Sequence, residues 1–308
     1  MRSENMSFDI FFCWPKNERV NFDDVKRWAE AIECFKQNGT QLWYANPDTG
    51  VYFSIDFAGT PESPDDAPLI PDGYFDSGLS FNLNYNRPQY FALEAMPIVA
   101  HLATRFGLSL IDPQKDWDAP PVTRVADAEV LVSSWINHNE RATHALMQDP
   151  DFSNPLHMTA QDSVYLWRYT KAKPDLERAC GEDMFVPRLV PIQRKGSRQV
   201  GAAFTYTQGI PMIVPESEWV ILVRKNRRFS LKKKAQEITV INARTFAELL
   251  AGCIRPYDWP ELNVQMITPE SAQKAAEITS KIDRTLPRSE FDVIEKDAFV
   301  DIQLPASS

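Results

Sequence analysis

The sequence predicts an α+β fold, with a mixed sheet and packed helices in the N-terminal half and an antiparallel β meander with further helices in the C-terminal half. Apolar residues recur at every second position in segments 42–57 and 79–85, as they do in half-buried strands. In segments 22–36 and 88–106 they recur at steps of three and four, as on one face of a helix. The resulting order of strand, helix, hairpin, strand, helix and strand is typical of helices packed on a mixed sheet.

The ends of the N-terminal elements carry recognisable signals. Asn21 can cap the first helix, and Asn38-Gly39 is expected to end it. Pro88 suits the first turn of the second helix, and Gly107 suits its end. The elements predicted in this half are strand 8–14, helix 22–36, strands 42–44 and 51–57, strand 79–85, helix 88–106 and strand 108–111.

The C-terminal half begins after a proline-rich and charged boundary, DPQKDWDAPP at 112–121. We therefore predict two subdomains, 1–118 and 119–308, with one continuous unit as the open alternative. Short β-rich runs separated by turn residues indicate the meander, and the last residues are expected to fray. The elements predicted here are helices 126–147 and 159–171, strands 184–193, 200–207, 211–214, 219–223 and 238–241, and helices 245–253 and 269–283.

Charge is unevenly distributed along the chain, whose net charge is -9. Residues 1–160 hold 11 Lys and Arg against 23 Asp and Glu, a net charge of -12, whereas residues 161–308 hold 22 against 19, a net charge of +3. A protein that grips nucleic acid through its phosphates needs the opposite balance, so direct nucleic-acid binding is disfavoured. The N-terminal apolar run is too short for a signal peptide, and no run is long enough to cross a membrane, which predicts a cytoplasmic protein.

Motifs for catalysis, metals and cofactors are weak throughout. There is no glycine-rich phosphate loop and no nucleophile elbow. The four cysteines lie far apart, and the four histidines include no pair at helical metal-ligand spacing. We therefore expect no catalytic residue, no metal ligand and no cofactor, and we predict that the chain is not an enzyme.

The most unusual stretch is residues 37–86, which contain no lysine and no arginine; we call it the acidic window. Its middle, the acidic loop 58–77, contains four prolines and several Asp residues, so a regular element is unlikely to form there. This loop either receives a basic partner by electrostatic steering or is simply solvated. The candidate partner-binding residues are Trp43, Asp48, Asp56, Glu62, Asp65, Asp66, Asp72, Tyr74 and Asp76.

Four stretches carry a resemblance to a known family: QLWYANPDTGVYFSIDF, DSGLSFNLNYNRPQYFALEAMP, DMFVPRLVPIQR and GIPMIVPESEWVILV. From about Phe8 to Val223 the chain resembles bacterial immunity proteins of polymorphic-toxin and type VI secretion systems, in the group paired with toxins of restriction-endonuclease fold. The resemblance implies a cognate nuclease toxin as the partner. These stretches are packing and turn motifs, so no contact residue is carried over from the family.

Two other interpretations stay open at this point. In one, the chain is an enzyme or small-ligand protein with a pocket between its halves, lined by Asn82, Asn84 and Tyr85. In the other, it is an assembly subunit, which needs a large apolar interface. The basic run Arg224 to Lys234 can pair with the acidic loop or with an acidic patch on a partner, and its single aromatic residue gives little support to nucleic-acid stacking.

Overall fold

The computed structural model describes residues 7–14, 20–57, 70–114, 122–123, 127–224 and 237–303. It confirms the α+β class, since helices and several sheets occur in both parts of the chain. The chain divides into two compact units, which we call the first unit (Met1–Asn154 with Ile302–Ser308) and the second unit (Pro155–Asp301). The first unit keeps the net charge of -12 counted for residues 1–160, and the second unit keeps the net charge of +3. The two divisions of the chain differ only by residues 155–160 and 302–308, which carry no ionisable side chain except His157.

The first unit is built on a seven-stranded sheet in the order β2-β3-β4-β5-β1-β6-β7. Its elements are β1 (Ser7–Trp14), α1 (Phe22–Glu30), β2 (Phe35–Asn38), β3 (Gln41–Ala45), β4 (Tyr52–Phe57), β5 (Phe75–Asn84), α2 (Tyr90–Phe106), β6 (Ser109–Ile111), β7 (Val122–Thr123) and α3 (Ala128–Leu146). All six pairings of neighbouring strands are antiparallel, in contrast to the mixed sheet predicted for this half. The reason is that β1 lies between β5 and β6, so the parallel strands joined by α2 are not neighbours.

The first helix is shorter than predicted. It ends at Glu30, and Phe35 instead pairs with Tyr44 in the β2–β3 hairpin. Gly39, expected to end the helix, forms the hairpin turn with φ of 61°. Phe35 reaches the core in either conformation, and it packs against Trp28 and Phe53. The spacing of apolar residues therefore did not distinguish a helix from a strand at Phe35.

The later helices of the first unit lie close to their predicted bounds. α2 begins at Tyr90 and continues through Pro97. Gly107 closes it in the left-handed conformation with φ of 65°. α3 is capped by Asp127 and packs on α2. Because α3 belongs to the first unit, the observed division falls later in the chain than the boundary predicted at 118/119.

The second unit contains two sheets. Its elements are α4 (Ala160–Cys180), β8 (Leu189–Arg194), β9 (Val200–Thr207), β10 (Met212–Pro215), β11 (Trp219–Arg224), β12 (Glu237–Asn242), α5 (Ala243–Leu249), β13 (Ile254–Tyr257), β14 (Val264–Ile267), α6 (Pro269–Thr279), β15 (Leu286–Pro287) and β16 (Phe291–Val293). One sheet has the order β15-β12-β11-β9-β8-β16 and the other β10-β14-β13. The predicted antiparallel meander is therefore interrupted: β9 and β11 are parallel neighbours, because β10 leaves their sheet to pair with β14.

The C-terminal residues up to 303 do not fray, contrary to the prediction. β16 pairs with β8, and Phe291 packs on Trp219 at a ring-centroid distance of 5.1 Å. Phe299 and Val300 are also buried. These side chains complete the core of the second unit, which explains why an unremarkable tail sequence is held in place.

Candidate functional site

The sheet of the first unit has one apolar face and one polar face. Along β1, Phe8, Ile10 and Phe12 are fully buried, whereas Ser7, Asp9 and Phe11 between them are half-buried. Pairing of the strands places the corresponding alternate residues of β5, β4 and β3 on the same side as Asp9. We call this side the polar sheet face. It carries the half-buried Phe11 and the exposed Lys36, and its other members include Asp9, Gln41, Trp43, Tyr52, Ser54, Asp56, Ser80 and Asn82.

Two carboxylates of the polar sheet face are held by neutral donors on the same strand or on a neighbouring strand. Asn82 Nδ2 donates to Asp9 Oδ1 at 2.7 Å. Asp56 accepts from Gln41 Nε2 on Oδ1 at 2.7 Å and from Ser54 Oγ on Oδ2 at 2.8 Å. These bonds fix the carboxylates in position without neutralising their charge.

Trp43 is the most exposed aromatic residue of the polar sheet face, with 37% of its surface accessible. Its indole stacks on the Tyr52 ring, with centroids 5.6 Å apart and planes inclined by 21°. Tyr52 is itself fixed, because Arg87 donates to its hydroxyl oxygen from Nε at 2.9 Å and Nη2 at 2.6 Å. Phe91 packs edge-on against Tyr52, with ring centroids 5.5 Å apart. The indole therefore rests on a support that is already rigid.

The predicted site residues are not all brought together. Trp43 and Asp56 lie on the polar sheet face, whereas Asp48 lies in the β3–β4 turn, at the end of those strands away from the acidic loop. Asp76 lies opposite Cys13, beyond a shift in the β1–β5 register. Asp72 and Tyr74 come just before β5, at the end of that strand where Asp76 lies. Asp72 is exposed and Tyr74 is half-buried. Glu62, Asp65 and Asp66 lie outside the residues that the structure describes.

Sequence reasoning missed four contributors to the polar sheet face: Asp9, Gln41, Tyr52 and Ser54. The available signal was alternation: apolar residues at 42 and 44 and at 51, 53, 55 and 57 leave Trp43, Tyr52, Ser54 and Asp56 on the other face. The structure pairs Ala45 with Tyr52 and Trp43 with Ser54. That register places Trp43 and Tyr52 diagonally on one face, where aromatic rings can reach each other.

Behind the sheet, a buried carboxylate fixes the β3–β4 turn. Glu94 on α2 is 4% exposed. Its Oε1 accepts from Tyr44 Oη at 2.8 Å, Asn46 Nδ2 at 2.7 Å and Thr49 Oγ1 at 3.0 Å. Burial, together with the nearby Glu94 charge, raises the pKa of the Tyr44 hydroxyl well above its ordinary range. The network joins α2 to the turn that presents Asp48.

Residues considered for a ligand pocket are used mainly within the fold. Asn82 bonds Asp9, and Tyr85 is buried, with its ring edge-on to Phe8 and stacked on Trp135. Burial raises the pKa of Tyr85 above its ordinary value. Among the described residues, no group of three or more His, Cys, Asp or Glu side chains could hold a metal ion. These contacts favour a structural role for Asn82 and Tyr85.

The basic run is described only at its first residue. Arg224 is buried at the end of β11, where Nη1 donates to the Ile282 carbonyl at 2.6 Å and Nη2 to Glu237 at 3.2 Å. Positions 225–234 lie outside the described residues, so both pairings considered for this run, with the acidic loop or with an acidic patch on a partner, stay open.

Comparisons with known proteins give no relative: no protein-family model, no curated protein and no solved structure matches the chain. In the described ranges, none of the helices combines the length and apolar character that crossing a membrane requires.

Proposed function

We propose that this chain is an immunity protein, a cytoplasmic protein without catalytic activity that binds a nuclease toxin of restriction-endonuclease fold and neutralises it. The observation that carries the proposal is the polar sheet face, where a supported indole lies beside the fixed carboxylate of Asp56 in a unit with a net charge of -12. The resemblance of four sequence stretches to toxin-neutralising proteins points to the same class of partner.

The physical logic is charge complementarity. A nuclease needs a cationic cleft to hold the phosphates of its substrate. A protein unit with a strong negative charge is attracted to such a cleft, and long-range attraction increases the rate of association. Aromatic residues that become buried in the interface then slow dissociation. Neutralisation requires no chemistry beyond this binding.

The acidic loop is expected to set the association rate. Replacing Asp65, Asp66, Asp72 and Asp76 with Asn removes four negative charges and is expected to slow association about tenfold at low salt, with a smaller effect at high salt. The proposal predicts that a gene adjacent to the one for this chain encodes the toxin, and surface plasmon resonance with the product of that gene measures this rate.

A matched control removes the same number of charges elsewhere in the first unit, by Glu129→Gln, Glu140→Gln, Asp149→Asn and Asp151→Asn. This control is expected to change the association rate much less, because its charges lie in α3 and just beyond it. Equal rates for the two variants would show that only total charge matters. An unchanged rate for the loop variant would remove the loop from the mechanism.

A further inference from the structure

We infer that the Trp43–Tyr52 stack and Asp56 together form the site that receives an arginine side chain of the toxin. This inference rests on the proposed function and adds to it the chemical identity of the group that is bound. It also moves the centre of the interface from the acidic loop to the polar sheet face.

The geometry of β3 and β4 sets the site. Trp43 is paired with Ser54, whose small side chain lies between Tyr52 and Asp56 on β4. The register makes Tyr52 one diagonal neighbour of Trp43 and Asp56 the other. Diagonal neighbours lie about 7–8 Å apart in an antiparallel sheet. One long side chain of the partner can thus reach both the Trp43 indole and the Asp56 carboxylate.

The carboxylate of Asp56 retains acceptor capacity. Each of its oxygens accepts one hydrogen bond, from Gln41 or Ser54. An ionised carboxylate has about four acceptor positions, so two further donors can be accommodated. Because Gln41 and Ser54 are neutral, the negative charge of Asp56 still attracts a cation.

An arginine side chain matches both parts of the site. Its planar guanidinium stacks on an indole and, at the same time, donates two hydrogen bonds to a carboxylate. A lysine ammonium is a compact, strongly hydrated charge and does not provide this flat surface. Nucleases also use arginine to contact the phosphates of their substrate. Arginine side chains are therefore expected in the cationic cleft of the toxin.

The indole is prepared for binding before the partner arrives. Tyr52 is held by Arg87 and Phe91, and Trp43 stacks on Tyr52. Little side-chain entropy is then lost on association, which is the property expected of an interface hot spot. Two cations of the chain itself lie beside the stack. Arg87 lies over the Tyr52 ring, with its Cζ 5.6 Å from the ring centroid, and the exposed Lys36 pairs with Trp43 from β2.

The test measures binding of the full chain to a catalytically inactive form of the adjacent gene's toxin. Trp43→Ala is expected to weaken binding at least about 30-fold, mainly through faster dissociation. Asp56→Asn is expected to weaken it several-fold, whereas Lys36→Gln is expected to tighten it, since a repelling charge is removed. Phe152→Ala is the matched control, because Phe152 is also an exposed aromatic residue of the first unit, at 57% exposure, and lies beyond α3.

The outcomes separate this inference from the proposed function. If the wild-type chain does not bind the toxin, the proposed function fails. If the wild-type chain binds and Trp43→Ala binds within twofold of it, the inference is overturned while the function stands. Thermal melting of each variant shows whether the fold is retained.

Arginine is identified from the toxin side. Changing the contacting toxin arginine to alanine is expected to be non-additive with Trp43→Ala, because each change removes the same contact. Changing it to lysine is expected to weaken binding as well. Full binding by the lysine variant, or additive effects for every exposed toxin arginine, would contradict the assignment.

Discussion

Glu94→Ala is expected to lower the free energy of unfolding of the first unit by about 3–5 kcal/mol. The substitution removes the acceptor shared by Tyr44, Asn46 and Thr49, and it leaves donors buried without their partner. It also leaves a cavity where α2 faces the hairpin. Chemical denaturation followed by tryptophan fluorescence measures the change.

Two variants make this result specific. Glu94→Gln keeps an oxygen acceptor of nearly the same shape, so its loss of stability is expected to be clearly smaller than that of Glu94→Ala. Glu129→Ala, on the exposed side of α3, is expected to change stability by less than about 0.5 kcal/mol. If Glu94→Ala were no more destabilising than Glu129→Ala, the network would not stabilise the turn.

Alkaline pH is expected to destabilise both units strongly, beginning near pH 9 in the first unit, which contains Cys13, and near pH 10 in the second. Burial, with a smaller contribution from Asp76, raises the pKa of the Cys13 thiol to about 11. Burial likewise raises the pKa of five tyrosines above the ordinary value of 10, namely Tyr44, Tyr85, Tyr165, Tyr169 and Tyr206. Above pH 10 the unfolded chain releases protons that the folded chain retains, so the unfolded state is favoured as pH rises.

Each such group contributes at most about 1.4 kcal/mol per pH unit in the interval between its unfolded and folded pKa. Thermal melts from pH 7 to pH 11 are expected to show a constant melting temperature up to about pH 9 and a steep fall beyond it. Tyr85→Phe keeps the ring that contacts Phe8 and Trp135, and it is expected to make the fall shallower. A melting temperature independent of pH up to 11 would contradict the burial of these groups.

Local patterns in the sequence were sufficient to predict most elements of the first unit. Alternating apolar residues located β1, β3, β4 and β5, and Gly107 marked the end of α2. These signals are local, because burial of alternate residues and left-handed caps depend on near neighbours. The insertion of β1 between β5 and β6 is a long-range pairing, which has no local signature.

The remaining errors arise where one sequence pattern is compatible with two different structures. Phe35 meets the core from a strand as readily as it would from a helix, so spacing alone placed it wrongly. In the second unit, the short run 211–214 was predicted as the next strand of a meander. The corresponding strand β10 instead pairs with β14, whose sequence was not recognised as a strand. The strand with which such a short β segment pairs is decided by tertiary packing.

The candidate site was only partly predictable. Composition identified the acidic window, and an exposed Trp43 beside carboxylates followed from alternation in the hairpin. The support beneath Trp43 could not be foreseen, because Arg87 is distant from Tyr52 in sequence and reaches it only when β4 and the residues after β5 come together. The placement of Asp48 away from the acidic loop likewise follows from the direction of the hairpin.

The most direct test of the account is a titration of nuclease activity. The product of the adjacent toxin gene is incubated with plasmid DNA and increasing amounts of the purified full chain. We expect DNA cleavage to fall in proportion to the added chain and to stop at a small whole-number ratio of chain to toxin, with Trp43→Ala requiring a large excess. Undiminished cleavage in the presence of excess wild-type chain would contradict the proposal that this protein neutralises a nuclease by binding it.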